Sequence, residues 1–324
     1  MLASLDHICN RLNMDVLGSL LDGPRAERAF LLKSVFAGAW SVRIEDEAPL
    51  TVVVMARGSA VYGDGSAVHS LSEGDVVLVR GPHPYLFADS LETPTEVRIL
   101  PGQVCIDPQG HILKDAMDLG VRTWGNVPAD TPSATVMLIG TYNRETSVGA
   151  RLLVNLPRTS VLSRLSSPLV ELLSEELVND RPGQQAVLDR LLDLLLVSCL
   201  RDALIGAGPG GWLTAEGDAV AGPALRLIHE RPEESWTVES LARRAGVSRA
   251  VFARRFTESV GEPPLTYLTH WRMALAADLV AGTDLTLAAV AGRVGYSNPF
   301  ALSAAFKRAH GVSPAHFRIS QSAA

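Results

Sequence analysis

The chain has 324 residues, 47% of them hydrophobic and 20% charged, with a formal net charge of −6. Such a length allows about two domains, and the apolar fraction sets aside a disordered chain. There is no apolar run of about 18 residues and no basic-then-apolar stretch at the amino end, so neither membrane insertion nor secretion is expected.

Cys9, Cys105 and Cys199 are too few and too scattered for a disulfide framework or a metal cluster, and a reducing cytoplasm is the expected compartment. From about Phe30 to Val154 the text is strand-like. "PLTVVVMA", "SAVYGDGSAVHSL", "GDVVLVRGPHPYLF", "TEVRIL" and "ATVMLIGTY" are short runs rich in β-branched residues, broken by Gly, Asp and Pro. Gly63-Asp64-Gly65 is a hairpin signal and Gly74-Asp75 a further turn. Many short strands with frequent turns predict an antiparallel β-barrel or sandwich over residues 1–160. Helical text follows over residues 161–206, with Leu188, Leu191, Leu192, Leu195 and Cys199 on one stripe. "GAGPGG" opens a linker, residues 207–222, and residues 223–324 read as an all-α domain. The fold class is therefore α+β, with the strands first and the helices last.

Charge separates the same two parts. Residues from Gly222 onward hold 12 Lys and Arg against 8 Asp and Glu, a balance of +4, which leaves −10 on the remainder. A basic carboxyl-terminal part is the side on which an anionic partner is expected.

That part repeats itself. "LARRAGVS" (Leu241–Ser248) matches "VAGRVGYS" (Val290–Ser297), and Gly246 and Gly295 stand 49 positions apart. Each copy continues to an aromatic residue (Phe256, Phe306), then Gly (Gly261, Gly311), then Pro (Pro264, Pro314), and the second is one residue longer between Gly and Phe. Ala242 and Ala291 let two helices approach, while Gly246 and Gly295 suit a reversal with positive φ. Ser248, and Ser297 or Asn298, are placed to cap the helix that follows. Val251, Phe252 and Phe256, and in the second copy Phe300, Leu302 and Phe306, form the predicted apolar faces. A single copy is compatible with an ordinary helical hairpin; two with matched punctuation favour helix-turn-helix units whose second helices enter the DNA major groove.

"WTVESLARRAGVSRAVFARRF", "VGYSNPFALSAAFKR" and "GVSPAHFR" resemble the DNA-binding domain of the AraC/XylS family of transcription regulators. The resemblance covers about a third of the chain. It implies seven helices, with a linker helix near Pro264–Ala281 between the two units, and double-stranded promoter DNA as partner. It also implies RNA polymerase, the partner of an activator. The first recognition helix is expected over Ser248–Val260. Its DNA-facing positions are Ser248, Arg249, Ala250, Ala253 and Arg254, with Arg254 placed to pair bidentately with guanine. In the second unit the outward positions are Asn298, Pro299, Ser303 and Ala304. Because Ala304 stands where many relatives carry a basic residue, this unit is expected mainly to hold the DNA backbone, through Ser297, Asn298, Lys307 and Arg308.

More loosely, "LSEGDVVLVRGPHPY" (Leu71–Tyr85) resembles the cupin-like barrel at the amino end of many such regulators. This implies a sensor for an unknown small-molecule effector, with His69, His83 and Tyr85 as candidate contacts. No His-x-His pair with a following glutamate is present, so neither metal nor cofactor is expected. Cys9 and Cys105 are candidate redox-responsive thiols, set against the alternative of buried inert ones. The leucine-striped helices suit a homodimer. Two other functions compete: a cupin-type metal-dependent enzyme with a helical appendage, which lacks a ligand cluster, and a protein-interaction module that does not bind DNA.

Overall fold

The computed structural model describes residues 30–322 except 129, 143–146, 154–155, 164–167, 180, 207–214 and 216. Cys9 and most of the predicted linker lie outside the described residues. Two compact units result: one from residues within 25–145 and 153–207, the other from residues within 146–152 and 208–324.

Short apolar runs rich in β-branched residues build the first unit. Its strands are β1 (Phe30–Phe36), β2 (Ser41–Ile44), β3 (Leu50–Arg57), β4 (Ser59–Gly63), β5 (Val68–Ser72) and β6 (Val76–Arg80), followed by β7 (Tyr85–Ala88), β8 (Val97–Leu100), β9 (Val104–Ile106), β10 (Thr123–Gly125), β11 (Thr135–Tyr142) and β12 (Thr159–Leu162). They form two six-stranded sheets, ordered β10-β1-β11-β3-β6-β12 and β5-β4-β7-β2-β8-β9. The architecture is the expected cupin-like one, with one difference. β1 pairs parallel with β10 and β2 parallel with β8, so the sheets are mixed rather than wholly antiparallel. β2 takes β7 on one side and β8 on the other, and residues 89–96 carry the chain across between them. That crossing makes the second pairing parallel, a non-local event that no short window of sequence encodes.

The Gly63-Asp64-Gly65 turn joins β4 to β5, where the Asp64 carboxylate accepts from the amides of Ser66 and Ala67. The core between the sheets gathers Phe36, Trp40, Val42, Met55, Tyr62, Leu71, Val77, Phe87 and Met137. After the short helix α1 (Ser147–Leu153), helix α2 (Pro168–Val178) buries Leu169, Leu173 and Leu177, and α3 (Gln184–Gly206) buries Leu188, Leu192, Leu195 and Cys199. Leu191 of the predicted stripe is only half-buried. Leu192 sits so close to Gly140 of β11 that a Cβ there would lie 2.5 Å from its Cδ1. A glycine in the strand is what lets the helix lie on the sheet.

The second unit contains the seven helices expected of the carboxyl-terminal part: α4 (Ala221–Glu230), α5 (Val238–Arg244), α6 (Arg249–Val260), α7 (Pro264–Gly282), α8 (Leu287–Arg293), α9 (Pro299–His310) and α10 (Pro314–Ser322). It also contains α1, up to residue 152, although these residues fall within the 1–160 span expected to form the strand domain. The amides of Ser147 and Val148 donate to the carboxylate of Asp278 on α7, at 2.7 and 3.1 Å. Farther along α1, Arg151 pairs with Glu262 at 2.8 Å and lies 5.2 Å from the Tyr267 ring centre. Tertiary partners outside the local window make this helix; seven residues alone are too few to be stable in water.

Helix α7 is the spine. Tyr267, Leu268, Trp271, Met273, Ala274, Ala276, Ala277 and Val280 are buried along it, apolar on nearly every side because helices pack against it from both ends.

Candidate nucleic-acid interface and sensor cavity

Two similar helix pairs flank α7, and each is assembled by the same local chemistry. In the first, Thr237 and Ser240 form a reciprocal capping box at the start of α5, which buries Leu241 and Ala242. Gly246 reverses the chain at φ 70°, and the Ser248 hydroxyl caps α6 by accepting from the Val251 amide. In the second, Thr286 caps α8, Val290 and Ala291 are buried, and Gly295 turns the chain at φ 76°. Asn298, rather than Ser297, caps α9, its carbonyl oxygen accepting from the Ala301 amide at 2.9 Å. Both second helices end on a left-handed glycine, Gly261 and Gly311, and a proline three residues later starts the next helix.

The extra residue of the second copy lies in its turn, ahead of the cap. Helices α6 and α9 therefore have 12 residues each, and Ser248 corresponds to Asn298, Ala250 to Phe300, Arg254 to Ala304. This corrects the predicted faces in two places. Phe300, assigned to the inward apolar face, is 84% exposed, and Val251 is exposed as well. The inward faces are instead Phe252 with Phe256, and Leu302 with Ala305 and Phe306.

The other predicted positions are accessible to different degrees. Ser248, Arg249, Ala250, Arg254, Ser297, Asn298, Lys307 and Arg308 are exposed, while Ala253, Pro299 and Ser303 are half-buried; Ala304 is exposed too. Arg254 pairs with Glu258 one turn on at 3.2 Å, both side chains largely in solvent. Such an exposed pair is worth well under about 1 kcal/mol, so the guanidinium is readily released to another acceptor.

Counting charges misses what the arginines do. Arg272 donates to the carbonyls of Pro232 and Glu234, and Arg318 to those of Val280 and Leu285. Arg255 bonds Asp218, whose carboxylate also caps α4 through the amides of Val220 and Ala221. These three cations tie the helices together, and the free positive surface is correspondingly smaller than +4 suggests. Nothing in a one-dimensional charge count distinguishes them.

Beneath the first pair, His229 stacks on Trp271 with ring centres 4.0 Å apart and is hydrogen-bonded to the Tyr267 hydroxyl. Burial, helped by the nearby Arg151 charge, pushes the imidazole down to about 3, so it is neutral at physiological pH. Burial also raises the carboxyl of Asp278 above its usual range despite its two amide partners.

In the strand unit, a narrow cavity opens between the sheets. Its wall is mostly apolar, including Leu32, Phe36, Val53, Phe87, Trp124 and Met137, with Asp46 and Gln103 as a polar corner. Gln103 donates to Asp46 at 2.9 Å. Of the three predicted effector contacts the structure brings only Tyr85 to this wall. His69 is half-buried beside Tyr62, and His83 is exposed between Pro82 and Pro84. Burial raises the Tyr85 phenol, keeping it neutral. Cys105 is half-buried against the core and burial raises its thiol, the opposite of what a reactive thiolate needs. Cys199 is buried and pushed up to about 12 by burial. Among the described residues no group of three or more His, Cys, Asp or Glu is arranged to hold a metal ion, and no helix is long and apolar enough to cross a membrane.

Comparison with known proteins matches each part of the chain to a family. A cupin family matches residues 15–204 and a helix-turn-helix domain residues 241–320. The transcriptional regulator AlkR of Acinetobacter baylyi is 30% identical over 94% of this chain and 99% of its own length. A putative AraC-like transcription regulator of Streptomyces antibioticus is also 30% identical, over 94% and 98%. The solved DNA-binding domain of AdpA in complex with a target DNA is 36% identical, covering 33% of this chain and 96% of that one, with a TM-score of 0.31. With a cupin-like domain ahead of paired helix-turn-helix units, and transcription regulators 30% identical to it along nearly its whole length, the chain belongs to the AraC/XylS family of transcription regulators.

Proposed function

We propose that this regulator, acting in the cytoplasm, reads promoter DNA with α6 and α9 in neighbouring stretches of major groove, and that a small molecule in the cavity of the strand unit sets its activity. The observation that carries this is the outward surface of the two second helices. Each buries a phenylalanine-centred face and leaves the other side, with Arg249 and Arg254 or with Ser297, Asn298, Lys307 and Arg308, in solvent. Arg254 is placed to read guanine; Lys307, Arg308 and the caps Ser248 and Asn298 suit phosphate contacts. Selection of bound duplexes by the full-length chain should return a defined motif, with affinity falling steeply as salt rises. Recovery of unselected sequence at every salt concentration would overturn the proposal.

The cavity wall favours a small, largely apolar effector with one hydrogen-bonding group for the Asp46–Gln103 corner. Such a compound should raise the melting temperature of the full-length protein, and Tyr85→Ala or Asp46→Asn should reduce that rise. A second copy of the chain is the fitting partner for α3, where Val187 and Leu194 are exposed seven residues apart, two turns along one side. Leu194→Glu should convert a dimer to a monomer in sedimentation. RNA polymerase is the further partner in this scheme.

A further inference from the structure

We infer that Phe300 is a specificity-determining residue, its ring reading the methyl group of a thymine in the duplex, so that the second helix-turn-helix copy selects bases by apolar contact instead of by a charged side chain. The inference deepens the DNA-binding proposal and rests on it.

Phe300 is 84% exposed, more than any other large hydrophobic residue among those described. Leaving a ring in water forfeits about 1.5–3 kcal/mol that burial would bring. Its counterpart in the first copy, Ala250, is a methyl group, so the scaffold itself does not require a ring at this offset. The ring occupies the second position of α9, two residues after the cap Asn298, at the end of the helix that meets base edges in a helix-turn-helix unit. Ala304 follows at i+4 and Lys307 at i+7, so the ring, a methyl and then an ammonium lie along one exposed side. The apolar half of that side comes first and the basic half last. A base-reading end followed by a phosphate-holding end is the order that insertion into a groove requires.

Chemistry then selects the base. No donor or acceptor is carried at positions 300 or 304, so hydrogen-bonded readout of guanine, adenine or cytosine has no partner there. The one base edge in the major groove with an apolar group is that of thymine, through its C5-methyl.

The test uses the full-length protein and the duplex it selects. Each thymine is replaced in turn by uracil, which removes only the methyl. Wild-type protein is expected to lose about fourfold in affinity at one thymine under α9, the value of one buried methyl-sized group. Phe300→Ala should be indifferent to that replacement while keeping its response at every other thymine, and Phe300→Leu should restore the response. Because the ring is exposed, the melting temperature of Phe300→Ala should match wild type, which separates readout from folding. The inference is overturned if Phe300→Ala retains every uracil response. A uniform loss of affinity with unchanged selectivity would overturn it equally, as would no effect on DNA binding at all, the result expected if the ring meets a protein partner. Selective binding by the wild type in the same assay tests the DNA-binding proposal by itself.

Discussion

The two helix-turn-helix copies share a scaffold and differ in nearly everything attached to it. Their cores are equivalent: Phe256 and Phe306 are fully buried, and left-handed glycines stop both second helices. Their outer faces are not. The first offers Arg254 and the small Ala250; the second offers Phe300 and Ala304, with Lys307 and Arg308 beyond. Their turns also differ. A Cβ on Gly246 would meet nothing within 4 Å, whereas one on Gly295 would lie 2.6 Å from Arg272 Nη2 and 2.8 Å from the Glu233 carbonyl. Duplication preserves what two helices need in order to pack, and frees the surface for separate tasks.

The largest effect should come from the shared core. Phe306→Ala should cost about 3–5 kcal/mol in denaturant unfolding, whereas Phe300→Ala, six residues away on the same helix, should stay within about 0.5 kcal/mol. Comparable losses would mean that the two faces of α9 are wrongly divided. Next are the turns. Gly246→Ala should cost about 1–2 kcal/mol through its positive φ alone. Gly295→Ala should cost about 3 kcal/mol or more, because it adds a clash with the Glu233 carbonyl and the Arg272 guanidinium. Equal values would erase the distinction between an open and a clamped turn.

On the side proposed to face DNA, Arg254→Ala should weaken specific binding by about 1–3 kcal/mol and relax preference at one base pair, read by selection of bound sequences. Lys307→Ala should instead weaken all sequences alike and reduce the slope of log affinity against log salt by about 1. Exchange of these two behaviours would reverse the roles given to the two copies.

The last contrast is in pH. The first copy rests on a buried neutral histidine, His229, lowered to about 3 in the folded protein. The unfolded chain takes up that proton near pH 6.5 while the folded one does not, so this contribution is complete above pH 6.5 and declines as the medium becomes more acidic. Between pH 6.5 and 5 the slope approaches about 1.4 kcal/mol per pH unit, and His229→Gln should flatten that part of the stability profile. An unchanged profile would show that the imidazole is protonated in the folded state.

Much of this was legible in advance. The strands around Gly63-Asp64-Gly65, the leucine-rich helix and both recognition helices follow from hydrophobic period and punctuation, which act over a few residues. Helix α1 was not legible, because its partners Asp278, Glu262 and Tyr267 are more than a hundred residues away. The orientation of Phe300 was missed for a subtler reason. The longer second copy leaves open whether its extra residue extends the turn or the helix, and only a shift of one position, about 100° around the axis, separates an inward ring from an outward one.

By itself, then, the sequence determines most of the strands and helices, α1 excepted, and that the last hundred residues contain one motif twice, since these depend on local spacing, caps and glycines. The tertiary structure alone decides which cations face solvent and which, like Arg272 and Arg318, are spent on backbone carbonyls. It alone decides, too, which of the predicted sensor residues reach the cavity and which way the second recognition helix turns its phenylalanine. The physical reason is the same in each case. A side chain's partners are set by what folds against it, and for these residues the partners come from distant parts of the chain.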